Sequence, residues 1–282
     1  MQYFAVRDLE EAIRIRAQTG FAVLAGGTDL YPALENGVRI PGAIDITNVA
    51  ALRAPIRRTG DLWTIPALTT WSEVVGADLP AQFDALKQAG VEVGGRQIQN
   101  TGTVGGNICN ASPAADGVAA LLALDATVVL EGAGGRREMP LAEFVRGNRR
   151  TALLADEILT AVQVPAVTGR HASLFRKLGA RRYLVISIAM VAVVVELDSR
   201  GVTCRGAIAV GACADRALRL PAAEASLLGL DMEALGRYEL PDGALAPLSP
   251  IDDVRGSAAY RRHAVRVLVE EAVRAIPERF PK

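Results

Sequence analysis

The segment from Gly94 to Asn107 constrains the fold of this chain more than any other segment. Five of its fourteen residues are glycine, whereas 27 glycines in 282 residues predict little more than one. Glycine in a helix interior costs about 0.5–1 kcal/mol relative to alanine, so this density argues against a regular helix. We therefore expect a loop here.

Two loops place adjacent glycines beside small polar side chains. The first is Ala25-Gly26-Gly27-Thr28-Asp29, and the second is Thr103-Val104-Gly105-Gly106-Asn107. Because glycine lacks a Cβ and adopts positive φ, consecutive N–H groups can converge on a diphosphate without a lysine cluster. Neither loop matches the Rossmann fingerprint or the P-loop. Either loop alone could simply form a tight turn, but the two together favour a dinucleotide held between two lobes.

The composition is that of a globular protein, with half of the residues hydrophobic and 22% charged. Thirty-one basic residues balance 31 acidic ones, and no run of like charge suggests a nucleic-acid-binding surface. The longest uncharged apolar stretch, Tyr183 to Val195, has thirteen residues, and a membrane span requires about 20. The acidic N-terminus also lacks the features of an export signal.

The cysteines and histidines predict no metal site in this chain. Cys109, Cys204 and Cys213 form no CxxC pair, and His171 and His263 lie far apart with no acidic or cysteine cluster around them. This pattern disfavours a disulfide framework, a zinc site and an iron–sulfur cluster, and it favours a reduced, cytoplasmic setting. We also find no residue with the features of an acid–base catalyst.

Local signals predict an N-terminal α/β part. Asp8 is expected to cap a helix that ends at Gly20, and a buried strand is predicted from Phe21 to Ala25. Ser112 followed by Pro113 predicts another helix start.

From about residue 170 the pattern changes to long strands followed by helices. Strands are predicted at 183–197 and 206–211, and a long helix is predicted at 257–276. In that helix, apolar residues spaced four apart form one stripe. Four arginines lie outside this stripe and are expected to face solvent or a partner: Arg261, Arg262, Arg266 and Arg274.

The string TVGGNICNASPAAD at 103–116, followed by LLALDA, closely resembles the FAD-binding medium subunit of the molybdenum hydroxylases. This family includes the xanthine and carbon monoxide dehydrogenases. Further motifs occur in the family's order, so the resemblance covers nearly the whole chain. They are AGGTDL at 25–30, DEILTAVQVP at 156–165, FRKLGARR at 175–182 and SPIDDVRGSAAYRR at 249–262.

The resemblance implies an α+β fold with two domains. Residues 1–169 would form a two-lobed FAD-binding domain of the PCMH/vanillyl-alcohol-oxidase type, with lobes at about 1–55 and 56–169. Residues 170–282 would form a smaller α+β domain of the CO dehydrogenase flavoprotein type, in which helices accompany an antiparallel sheet.

The resemblance also implies a set of FAD-binding residues. The first diphosphate loop would consist of Leu24, Ala25, Gly26, Gly27, Thr28, Asp29 and Leu30. The second would consist of Thr103, Gly105, Gly106 and Asn107. Asn110 and Asp116 would lie near the flavin or the ribose, and Leu159 near the adenine. Lys177 would reach the cofactor from the second domain, with Arg176 as the alternative after a one-residue shift.

The implied function is electron transfer within a complex. A partner large subunit would carry molybdopterin and oxidise a small organic substrate, and a partner small subunit would carry two 2Fe–2S clusters. This subunit's FAD would pass the electrons to NAD⁺, oxygen or a quinone, in a heterotrimer or its dimer. The alternatives are a stand-alone FAD-dependent reductase or oxidase of the related fold, a non-catalytic assembly subunit, and an unrelated nucleotide-binding module.

Overall fold

The structure, a computed structural model, describes residues 1–182 and 184–280. Within those residues, four sheets and the helices around them form an α+β fold, as the resemblance implies. None of the described helices is both long enough and apolar enough to cross a membrane.

A small parallel sheet and its helices form the N-terminal part. Asp8 caps α1 (Leu9–Thr19) by accepting a hydrogen bond from the Glu11 N–H, and Gly20 ends the helix in the left-handed conformation, as predicted. The first strand is not predicted from the sequence, because all its residues are exposed and leave no buried pattern. In spatial order the sheet consists of β1 (Gln2–Ala5), β3 (Gly42–Asp45) and β2 (Ala22–Leu24), and α2 (Leu30–Glu35) and a 3-10 turn (Ala50–Arg53) accompany it.

An antiparallel five-stranded sheet forms the next part. Its strands, in spatial order, are β4 (Arg57–Thr59), β5 (Leu62–Pro66), β10 (Ile158–Pro165), β6 (Thr127–Gly132) and β7 (Gly135–Pro140). The accompanying helices are α3 (Trp71–Gly76), a 3-10 turn (Ala81–Phe83), α4 (Asp84–Glu92), α5 (Arg96–Thr101), α6 (Val104–Asn110), α7 (Asp116–Ala123) and α8 (Leu141–Phe144). A hairpin of β8 (Val145–Gly147) and β9 (Arg150–Thr151) follows α8.

The prediction of a loop across the glycine-rich segment is wrong. Most of the segment is helical, in α5 and the first part of α6, with a break at Gly102. The glycines permit close packing, because a Cβ on Gly105 would lie 2.8 Å from the Ala67 Cβ. Tertiary contact therefore overrides the low helix propensity of glycine. The helix start predicted at Ser112 is also wrong: the Ser112 hydroxyl accepts from the Ala114 N–H in a turn, and α7 begins at Asp116.

The C-terminal part contains an antiparallel four-stranded sheet. Its strands, in spatial order, are β11 (Arg170–Leu178), β12 (Ala189–Leu197), β13 (Thr203–Gly211) and β14 (Leu218–Arg219). Its helices are α9 (Pro221–Ala225), α10 (Met232–Gly236), α11 (Ala258–Ala275) and a final 3-10 turn (Ile276–Arg279). The strand predicted from Tyr183 begins at Ala189 in the described residues, and Tyr183 itself lies outside them.

Strand β12 is apolar along most of its length because both of its faces are covered. Alternate residues from Met190 to Val194 share a core with the N-terminal part, where α7 packs on the strand. The intervening residues from Val191 to Val195 belong to a second core, which includes α11. The boundary predicted between residues 169 and 170 falls immediately before β11, and the division into two domains stays a prediction.

One of the four arginines predicted to face solvent or a partner is buried. The helix predicted at 257–276 is α11, which Ser257 caps, but Arg261 is only 3% exposed. Its guanidinium donates to the carbonyl oxygens of Ile188 at 2.6 Å and Ala212 at 3.1 Å, and to the Asp253 carboxylate at 2.7 Å. Ile188 lies just before β12, Ala212 just after β13, and Asp253 in the segment before α11. Together these acceptors compensate the buried charge.

Candidate functional site

The first glycine loop connects β2 to α2 where two backbone segments meet. A Cβ on Gly26 would lie 1.9 Å from the Thr101 carbonyl oxygen. Gly27 has a φ of +71°, in the left-handed region that favours glycine. Glycine is therefore required at position 26 because the Thr101 backbone is too close for a side chain, and at position 27 because the backbone is left-handed.

This loop leaves a row of backbone N–H groups unused. Within the described residues, the N–H groups of Gly26, Gly27, Thr28 and Asp29 donate to no protein acceptor. The Asp29 side chain does not cap α2 either. Free N–H groups at the start of a helix attract anions, because they carry partial positive charge and lack partners. The loop can therefore hold a phosphate through its main chain.

The second glycine loop uses its N–H groups differently from the prediction. Thr103 caps α6, and its hydroxyl accepts from the Gly106 N–H at 3.0 Å. All four consecutive N–H groups already have protein acceptors: Val104 donates to Thr69, Gly105 to Ala67, Gly106 to Thr103 and Asn107 to Thr103. The prediction that these amides converge on an anion is wrong, because they anchor α6. What this loop can offer a ligand is the side chain of Asn107, whose buried Oδ1 has no hydrogen-bond partner among the residues that the structure describes.

A cavity of 420 Å³ brings the two loops together. Trp71, Val93 and Ile98 contribute apolar surface to it. Most of the residues that the sequence predicts for the site line this cavity, namely Leu24, Ala25, Gly26, Gly27, Thr28, Asp29, Leu30, Thr103, Gly106, Asn107 and Asn110.

A second cavity of 280 Å³ adjoins the first and contains two more of the predicted residues, Gly105 and Leu159. Ala25, Gly106 and Cys109 line both cavities. Burial raises the pKa of the Cys109 thiol to about 12. The thiol therefore stays protonated near neutral pH and does not act as a nucleophile.

Asp116 and Lys177 lie apart from both cavities. The Lys177 Nζ donates to the Asp116 carboxylate at 2.7 Å and to the Glu92 carbonyl oxygen at 3.1 Å. The Ser187 hydroxyl donates to the other Asp116 oxygen at 2.9 Å. Burial raises the pKa of Asp116, and the neighbouring ammonium opposes that rise. Lys177 and Arg176 instead line a third cavity of 760 Å³, at the edge of β11.

The sequence prediction missed Arg149, which lines the first cavity. Its guanidinium donates to the Asn110 side-chain oxygen and lies 3.8 Å from the Asp29 carboxylate. Arg149 has a φ of +57° in the β8–β9 hairpin turn. The Gly147-Asn148 pair indicates a turn from the sequence, but it carries no sign that the next residue reaches a site more than a hundred residues away.

Comparison with known proteins shows two family matches in sequence order. Residues 1–167 match the FAD binding domain in molybdopterin dehydrogenase, and residues 174–276 match the CO dehydrogenase flavoprotein C-terminal domain.

Named relatives match over most of their length. The chain is 38% identical over 245 residues to the nicotinate dehydrogenase FAD-subunit of Eubacterium barkeri, covering 83% of this chain and 82% of the relative. It is 30% identical to the carbon monoxide dehydrogenase medium chain of Hydrogenophaga pseudoflava, over 97% and 96% of the two chains. A solved structure of carbon monoxide dehydrogenase from the same organism, lacking the Mo-pyranopterin moiety, superposes with a TM-score of 0.91 at 31% identity. That match covers 100% of this chain and 98% of the other. These relatives are medium chains or FAD subunits of multi-subunit enzymes, which implies large and small partner subunits.

The residues present fit FAD on two independent observations. The unused N–H groups from Gly26 to Asp29 can donate to an acceptor such as a diphosphate, and the buried Asn107 Oδ1, which has no partner among the described residues, can accept from a donor such as a hydroxyl. FAD carries both kinds of group. The chain therefore belongs to the family of FAD-binding medium subunits of the carbon monoxide dehydrogenase and xanthine dehydrogenase type, the flavoprotein subunits of molybdenum hydroxylase oxidoreductases.

Proposed function

We propose that this chain holds FAD with its diphosphate on the loop from Leu24 to Leu30 and relays electrons within a molybdenum hydroxylase complex. The observation that carries the proposal is the row of unused N–H groups in that loop, on the wall of a cavity that also receives Asn107. Main-chain dipoles hold a diphosphate without a cluster of positive side chains. The balanced net charge of the chain agrees with this mode of binding.

The remaining predicted residues have different roles in this proposal. Thr103 and Gly105 anchor α6 beneath the cofactor, Gly106 provides an open wall between the cavities, and Leu159 contributes apolar surface to the second cavity. Asp116 and Lys177 form their ion pair apart from both cavities, so in this proposal the pair joins α7 to β11 and does not contact the cofactor. Arg149 holds Asn110 and lies near Asp29 beside the first cavity.

Bound FAD would supply the ability to accept electrons singly or in pairs. The protein's contribution is to position it, exclude water with Trp71, Val93 and Ile98, and place polar groups around it. No side chain of this subunit is assigned a proton-transfer step. In the proposed complex, electrons arrive from 2Fe–2S clusters on a small subunit, after a molybdopterin-containing large subunit has oxidised a small organic substrate. They leave to NAD⁺, oxygen or a quinone. The predicted heterotrimer or its dimer, and the cytoplasmic location, are part of the proposal.

Purification of the full chain tests the proposal directly. The chain should carry the visible absorbance of a flavin, and the released cofactor should be FAD. Asn107→Ala should weaken FAD binding by about tenfold, because it removes a buried polar contact. Asn100→Ala, an exposed asparagine on α5, is the matched control and should bind FAD as the wild type does.

Other outcomes separate the alternatives. Folded protein that binds no flavin would contradict the proposal and favour a non-catalytic assembly subunit. Oxidation of an organic substrate by the single chain would favour a stand-alone flavoenzyme instead.

A further inference from the structure

Arg16 is a half-buried cation with few protein acceptors at the wall of the second cavity. It lies in the last turn of α1, and its Nη1 donates to the Phe21 carbonyl oxygen at 2.9 Å. Its Nε is buried and has no acceptor in residues 1–182 and 184–280. The part of the chain that the structure describes offers no acceptor to Nη2 either. A guanidinium has five N–H donors, so most of this group's hydrogen-bonding capacity is unused.

The nearby carboxylates do not compensate Arg16 directly. Glu157 lines the same cavity, but it forms an ion pair with Arg137, with a nitrogen–oxygen distance of 2.5 Å. Asp156 accepts from the Ala133 N–H. Burial lowers the pKa of Arg16, and the more distant Asp156 and Glu157 charges only partly oppose this. Partial burial removes some of the water around this charge and the protein supplies few acceptors, so a ligand with acceptors in the cavity would stabilise the group.

The geometry of the two cavities indicates which part of a dinucleotide would meet Arg16. Ala25 and Gly106 line both cavities, so the loop that would hold the diphosphate stands between them. The two halves of FAD then extend to opposite sides of this loop. The second cavity is the smaller, at 280 Å³ against 420 Å³, and it therefore suits the two-ring adenine rather than the three-ring flavin. Its apolar walls include Leu68, Leu153 and Leu159, which suits the faces of a purine.

We propose that Arg16 is a cofactor-specificity residue, which donates its unused N–H groups to acceptors on the adenosine half of FAD and so distinguishes FAD from FMN. The proposal rests on the proposed FAD function. An adenine ring and a ribose both present acceptors to a guanidinium, and FMN lacks both. Arg16 should therefore contribute to FAD affinity and leave FMN affinity unchanged.

The test measures dissociation constants of FAD and FMN for the full chain stripped of flavin, using the change in flavin fluorescence on binding. Arg16→Met keeps an unbranched apolar stem but removes the donors, and it should weaken FAD binding by about tenfold or more. Its affinity for FMN should stay within about twofold of the wild type. Arg14→Met is the matched control, because Arg14 lies on the same helix with its side chain 60% exposed, and both affinities should be unchanged.

A second measurement on the wild-type chain needs no substitution. Phenylglyoxal modifies arginine, and the extent of Arg16 modification can be read from its peptide by mass spectrometry. FAD and ADP should both protect Arg16, whereas FMN should not. Unchanged FAD affinity in Arg16→Met, an equal loss for FAD and FMN, or failure of ADP to protect would each overturn the proposal. The wild-type measurement tests the proposed function separately: wild-type protein that binds no FAD would refute that function, whatever the Arg16 variant does.

Discussion

Removal of the Asp116 carboxylate should destabilise the protein far more than removal of an equally close carboxylate on the surface. The Asp116–Lys177 pair has a nitrogen–oxygen distance of 2.7 Å, with side chains 8% and 6% exposed. In Asp116→Ala, the Lys177 ammonium keeps the Glu92 carbonyl oxygen as an acceptor, and the Ser187 hydroxyl loses its acceptor. Breaking a buried ion pair in this way costs about 3–5 kcal/mol.

The surface pair of Arg136 and Glu138 is the matched control. Its nitrogen–oxygen distance is 2.6 Å, but the side chains are 55% and 44% exposed. Water screens the charges of such a pair, so Glu138→Ala should cost less than about 1 kcal/mol. The comparison holds distance nearly constant and changes burial, which isolates the desolvation of the charge as the cause.

Urea unfolding of the flavin-free chain measures both costs. The flavin must be removed because a bound ligand adds its own stabilisation. Tryptophan fluorescence is a suitable signal, because the Trp71 ring is buried. The ring packs directly against Gly117 in α7, the helix that begins at Asp116. Addition of Lys177→Met to Asp116→Ala should recover much of the lost free energy of unfolding, since no unpaired charge then remains. A cost for Asp116→Ala no larger than that for Glu138→Ala would refute the reasoning.

Two further predictions concern the cofactor loop and its surroundings. Gly26→Ala should lower the free energy of unfolding by about 1–3 kcal/mol and weaken FAD binding, because its Cβ would collide with the Thr101 backbone. Gly236→Ala, where a Cβ meets nothing within 4 Å, should leave both quantities unchanged or slightly raise stability. The Arg137 guanidinium lowers the pKa of Glu157, so the stability from this pair should be present above the ordinary glutamate pKa of about 4.3 and be lost as the pH falls through the lowered value.

A specific outcome would contradict each of these two predictions. Equal stability and FAD affinity in Gly26→Ala and Gly236→Ala would show that the loop moves away from Thr101 at no cost. For the carboxylate, Glu157→Gln should be less stable than the wild type at neutral pH, with the difference shrinking on acidification. A difference in unfolding free energy that does not change with pH would contradict the assigned cause.

Much of the site was predictable because its signals are local. Adjacent glycines beside Thr28 and Asp29 indicate a main-chain anion site wherever they occur, and the structure places them on a cavity. The role of the second loop was harder to predict, because its sequence is similar to that of the first loop but its backbone amides bond within the protein. Only the position of Ala67 against Gly105 shows that these glycines allow a helix to pack closely and that their amides are already occupied.

The amino-acid order alone established the features that depend on neighbours in the chain: the cap at Asp8, the end of the first helix at Gly20, the long C-terminal helix and the apolar strand later seen as β12. Caps and periodic patterns arise within a few residues and need no knowledge of the fold. Long-range packing established the contacts of several charged side chains. It buried Arg261, joined Asp116 to Lys177 across sixty-one positions, and brought Arg149 to the first cavity. The environment of a charged side chain depends on segments distant in sequence, so its burial and partners emerge only when those segments pack together.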